Sequence, residues 1–161
     1  QRRLPKLPMT MATSVKAGET AVQMLRALRK GLINQPDLVI WQTGTVDASQ
    51  QLDAAGFAQA LIEGRSAIRE TGAELVLIGP QFSRRAGAIV EFRPYIEEMV
   101  HVEQAYGVPL LDRFAIMRYW ADHGLVNLDG DRDTWAATAA FVHDCIGAFL
   151  AEKVLKAVGI E

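Results

Sequence analysis

The feature that most constrains this chain is an alternation. The short apolar runs Leu38-Val39-Ile40-Trp41, Leu75-Val76-Leu77-Ile78 and Leu110-Leu111 are separated by longer amphipathic stretches. A run of four apolar residues leaves no polar face for water and reads as a strand buried on both sides. Such strands alternating with helical stretches predict βαβ units, and hence a parallel sheet covered by helices. With Met9 to Val15 as a further strand, four parallel strands are expected.

The intervening stretches carry helical periodicity. Gly18-Glu19-Thr20 opens a helix in which Val22, Leu25, Leu28 and Leu32 recur at helical spacing, and Asn34-Gln35-Pro36 stops it. A second helix from Ala54 to Thr71 aligns Phe57, Leu61 and Ile68, with Gly72 as its stop. Phe92 to Tyr106 and Phe114 to Ala121 also read as helical. The last helix, Thr134 to Ala157, is expected to turn Val142, Ile146, Phe149 and Leu150 toward the sheet.

At 161 residues, with 50% hydrophobic content, the chain suffices for one compact domain with a real core, covering 1–161 with residues 1–8 as an N-terminal extension. A net charge of -2 and a pI near 6.0 give no electrostatic reason to expect nucleic acid or an anionic membrane surface as partner. Cys145 is the only cysteine, so no intramolecular disulfide can form. No uninterrupted apolar run approaches the roughly 18 residues of a membrane span, so none is expected.

In open α/β sheets the ligand crevice lies at the carboxyl ends of the strands. Here that places attention on Lys16-Ala17-Gly18, Thr43 to Asp47, Gly79 to Arg85 and Asp112-Arg113. Three segments in order then resemble the SGNH/GDSL hydrolases. KAGET before a helix resembles the block whose glycine N–H helps bind the oxyanion, with Gly18 in that position. QTGTVDA after an apolar strand resembles the GxND block. Gly44 and Asp47 match it, but Val46 stands where the asparagine would donate a second oxyanion hydrogen bond, and valine has no donor. DGDR before the last helix resembles the DxxH block. Asp129 fits, but Arg132 replaces the histidine and stays protonated, so it cannot act as general base.

The resemblance implies a three-layer α/β/α, flavodoxin-like parallel sheet of the SGNH hydrolase type, with the first strand and its GDS serine missing from this chain. In that family the first strand lies between the second and third in sequence, so its loss opens two interior edges. Exposed edges invite pairing, and unpaired buried backbone groups cost about 1–3 kcal/mol each. An upstream segment, or a second chain, is therefore expected to complete the sheet. Family members are often exported bacterial enzymes, which leans toward a periplasmic setting; the residues themselves leave the compartment unknown.

Other candidates have plainer readings. His123, near the end of a helix and about nine residues before Arg132, is a candidate replacement base or a solvated helix-end histidine. His101 and His143 read as surface or packing residues. Ser14, Ser49, Ser66 and Ser83 lack the GDS context. Asp129, Asp131 and Asp133 alternate like the start of a calcium loop, but Thr134 and Ala140 occupy the positions that need Gly and Glu. No metal or cofactor is expected, and Asp133 reads as an N-cap. Arg84 and Arg85 could hold an anion or sugar hydroxyl, or simply be solvated. Trp41, Trp120 and Trp135 read as packing residues.

Two function classes follow. One is a non-catalytic protein of this fold that binds an acyl, glycan or protein partner. The other is an acyl-ester or acetyl-sugar hydrolase whose serine comes from an upstream segment. Loss of one oxyanion donor costs about 10²–10³ in turnover, and three departures in a single mechanism favour the first class.

Overall fold

A computed structural model describes residues 9–157; the expected extension at 1–8 lies outside them, and nothing is described of the Arg132 side chain. Three parallel strands, β1 (Leu38–Gln42), β2 (Glu74–Ile78) and β3 (Leu110–Leu111), lie in the order β1-β2-β3. Leu38 pairs with Glu74 through Gln42 with Ile78, and Leu77 and Ile78 pair with Leu110 and Leu111. The helices are α1 (Ala21–Leu32), α2 (Thr45–Ser49), α3 (Ala54–Glu70), α4 (Arg84–Gly87), α5 (Arg93–Tyr106), α6 (Arg113–Asp122) and α7 (Arg132–Ala157).

Side-chain alternation along the strands builds two cores. On one face, Trp41, Leu75, Leu77 and Leu110 pack with Ala21 and Leu25 of α1, Phe57, Leu61 and Ile68 of α3, and Tyr95, Met99 and Val102 of α5. On the other, Ile78 and Leu111 pack with Met117 and Ala121 of α6 and with Val142 and Ile146 of α7. This is the expected α/β/α layering. At Gly64 the helix α3 comes so close to the sheet that a Cβ would lie 2.4 Å from the Trp41 ring.

Several expectations need correction. Met9 to Val15 is not a strand but an exposed irregular segment, so three strands form rather than four. An extended stretch has no internal hydrogen bonds and needs a neighbour to satisfy its backbone. Nor is β1 buried on both faces. Val39 and Trp41 face the first core, whereas Leu38 is 36% and Ile40 47% exposed on the second face, which α6 and α7 cover only over β2 and β3. β1 is also an edge strand, since only β2 pairs with it among the described residues.

The last helix differs too. Val142 and Ile146 are buried as expected, but Phe149 is 42% exposed and Trp135 is 68% exposed instead of packed. Val22 of α1 is likewise exposed. Asp131, not Asp133, caps α7: its carboxylate accepts from the Thr134 N–H at 3.2 Å and from the Thr134 hydroxyl at 3.0 Å. By length and composition alone, residues Asp133–Lys156 could cross a membrane, with a mean hydropathy of 1.2. A single helix of this kind is weak evidence, and 11% of its apolar window is buried in the protein.

Candidate functional site

The site grows from the carboxyl end of β1. The Thr43 N–H donates to the Ile78 carbonyl at 3.2 Å, extending the ladder by one residue. The Thr43 hydroxyl is buried without a partner. Gly44 then turns the chain at φ 93°, a conformation that side-chain-bearing residues avoid, and a Cβ there would lie 3.0 Å from Pro80 Cγ. The expected loop is therefore short, because Thr45 already begins α2. The Thr45 hydroxyl accepts from the Gln81 N–H at 3.0 Å and ties this turn to the one after β2.

Val46 and Asp47 sit on α2. Val46 is half-buried and offers no side-chain donor. Asp47 is 1% exposed, and its two oxygens accept from the Ala21 N–H at 3.0 and 3.2 Å. Burial raises its pKa above 3.8, and the backbone N–H groups of Ala21, Asp47 and Gly44 offset this only in part. Asp47 thus joins α2 to the first turn of α1, beyond the Thr20 and Gln23 capping box. Nearby, Tyr95 donates its hydroxyl to the Leu52 carbonyl; burial first, then the charges of Asp47 and Asp53, raise its pKa. Gly18 precedes this cap at φ 78°, exposed, and a Cβ there would meet nothing within 4 Å.

The third block meets the segment that follows β2. The Asp129 carboxylate faces the Arg84 guanidinium at 3.8 Å, and Arg84 also reaches Asp122 at 3.6 Å and the Ala121 carbonyl at 2.6 Å. Arg132 is the first residue of α7. His123 ends α6 with Nδ1 2.9 Å from the Tyr119 carbonyl and its ring stacked on Tyr119 at 4.0 Å between centroids. Its Nδ1 is thus engaged with its own helix. His101 pairs with Glu98, and His143 is exposed on α7.

Two of the serines are engaged locally. Ser83 caps α4 by accepting from the Ala86 N–H at 3.1 Å, and the Ser49 hydroxyl donates to the Val46 carbonyl at 2.9 Å. Among the described residues, no serine is hydrogen-bonded to a histidine, and no three His, Cys, Asp or Glu side chains gather as a metal site. The larger open space, about 640 Å³, lies at the opposite end of the sheet, between Leu32–Asp37 and Glu70–Gly72.

A further polar residue stands just after β3. Arg113, the first residue of α6, is 5% exposed, its Nε has no partner, and burial lowers its pKa to about 10. The neighbouring Asp112 carboxylate is committed to capping, accepting from the Ala115 N–H at 2.9 Å. The spacing of Arg113, Met117 and Ala121 on one helical face was the available signal.

A family profile described as the non-GDSL lipase-like family matches residues 1–160. Among solved structures, a psychrotrophic esterase EstA from Pseudoalteromonas sp., inhibited by monoethylphosphonate, superposes with a TM-score of 0.56 at 16% identity. The match covers 83% of this chain and 74% of that one. A variant of the esterase AlinE4 superposes with a TM-score of 0.54 at 21% identity, covering 84% of this chain and 71% of that one. At these identities the likeness is one of fold. No curated protein matches.

Proposed function

The chain belongs to the non-GDSL lipase-like family, and from that premise we propose that it is a non-catalytic member, keeping the lipase and esterase fold to bind a small acyl or sugar ligand at the carboxyl ends of its strands. The observation that carries this reading is the placement of Asp129. Where the resemblance puts a carboxylate that orients a histidine, Asp129 faces Arg84 instead. An arginine ion pair holds no neutral base, and a serine hydroxyl without a base is a weak nucleophile.

The other block positions support the same reading. Asp47 is turned inward to the Ala21 N–H, so its carboxylate serves the fold. Val46 has no hydrogen to donate to an oxyanion, and His123, whose Nδ1 donates to the Tyr119 carbonyl and leaves Nε2 free, is hydrogen-bonded to no serine among the described residues. Fold alone does not carry chemistry, and the activities of the structural neighbours stay with them. The test is hydrolysis of p-nitrophenyl acetate by the longest natural form of the protein. A rate no greater than that of the Asp129→Ala variant is expected, and saturable turnover abolished by that substitution would overturn the reading.

A second reading is favoured by the unpaired edge of β1 and the exposed Leu38 and Ile40 beside it. A strand from an upstream segment or a second chain, added parallel to β1, would satisfy the edge and could bring a serine to the same crevice. This is the hydrolase alternative. It predicts a covalent serine adduct with a fluorophosphonate in the longest natural form.

A further inference from the structure

Arg113 is the residue whose chemistry the fold leaves unspent. It follows β3 directly, at the end of the sheet where open α/β folds receive ligands. Its backbone N lies 3.8 Å from where a Gly79 Cβ would stand, so it adjoins the turn after β2. Along α6 it shares a buried face with Met117 and Ala121, which pack with Ile78, Leu111, Val142 and Ile146. An apolar side chain would suit that position. Instead the position holds an arginine that is 5% exposed as a residue, with Nε unpartnered, and it makes no ion pair among the described residues. A buried cation without a counter-charge destabilises the protein that carries it.

We propose that Arg113 is the receptor for a carboxylate-bearing ligand bound at the carboxyl end of the sheet. Nε is buried without a partner, and among the described residues the two terminal nitrogens make no hydrogen bond or ion pair either. Two parallel N–H donors match the two oxygens of a planar carboxylate, and the apolar surroundings strengthen the pair. The nearest carboxylate in sequence, Asp112, caps α6 at Ala115. The ligand class is then a small carboxylic acid. This deepens the binding reading above and rests on it for the crevice, but not for the absence of catalysis.

The test titrates the full chain with sodium butyrate against sodium chloride at matched ionic strength, following thermal unfolding. At a ligand concentration ten times Kd, the unfolding constant should fall about tenfold, which at this chain length is a rise of about 3–6 °C. Arg113→Met should abolish that response and melt no lower than the parent without ligand, because it removes an unpaired buried charge. Arg113→Lys should weaken the response, since a point charge replaces the fork. In the parent protein the Arg113 Nε–H signal should exchange slowly and shift on butyrate addition, which keeps the test valid if a variant fails to fold. No shift in that signal, a lower melting temperature of Arg113→Met without ligand, or a response to inorganic phosphate equal to that to butyrate would each overturn the proposal. Ester turnover beside an intact butyrate response would overturn the non-catalytic reading and leave the Arg113 site standing.

Discussion

Replacing Asp47 with alanine separates a carboxylate that serves the fold from one kept charged for chemistry. The substitution leaves the Ala21 N–H, in a residue 0% exposed, without an acceptor. A buried donor left unpaired costs about 1–3 kcal/mol, and the lost anchoring of α1 on α2 acts in the same direction. Relief of the desolvated charge acts in the opposite direction, and its size depends on pH. Burial raises the pKa of Asp47 above 3.8, so the folded state holds its proton to higher pH than the unfolded state does. The stability this group contributes is therefore greatest below the unfolded pKa and is lost as pH rises through the folded value. The cost of Asp47→Ala should accordingly be larger at about pH 4 than at about pH 7.5, the reverse of an ion-paired carboxylate. Urea unfolding of both proteins at the two pH values measures this, and other titrating groups largely cancel in the difference. A cost larger at about pH 7.5, or below about 0.5 kcal/mol at both, would refute the reasoning.

Gly64→Ala should destabilise by about 1 kcal/mol, or about 2–4 °C, because overpacking against Trp41 at 2.4 Å and Leu25 at 3.1 Å outweighs the helix-propensity gain. Thermal melting with tryptophan emission checks it, and a stabilised variant with unchanged emission would count against the packing. Gly44→Ala should cost about 1–3 kcal/mol through its φ of 93° and the contact with Pro80, as read by denaturant titration; a neutral result would mean the turn relaxes freely. Arg84→Ala should change stability by less than about 1 kcal/mol, since the Arg84 pairs are about half exposed, and freeing Asp129 should produce no ester hydrolysis. An esterase rate appearing in that variant would show Asp129 to be a catalytic group held in check.

The strands at 38–42, 74–78 and 110–111 were legible because short apolar runs between longer amphipathic stretches have few other readings. The exposure of Leu38 and Ile40 was not, since a run of four apolar residues looks the same whether one or both faces are covered. Met9 to Val15 shows the limit of local pattern: strand propensity is spent only where a neighbouring strand supplies hydrogen bonds. From the segment Gln42 to Asp47, the end of β1 and the place of Asp47 just after it were legible. Its inward turn to Ala21 depends on how α1 docks, a contact across 26 residues. The Arg84 and Asp129 pair joins the start of α4 to a loop 45 residues on, and spacing alone could not foretell it. Arg113 stood in plain view after β3, but arginine is almost never fully buried, so composition argued against the burial the structure reveals.

The non-catalytic reading is tested most directly by intact-mass analysis of the longest natural form after incubation with an excess of a serine-directed fluorophosphonate. An unmodified mass is predicted, because among the described residues no serine has a histidine to activate it. A single stoichiometric adduct, mapped to a serine and blocked by prior denaturation, would contradict it and establish the protein as a hydrolase.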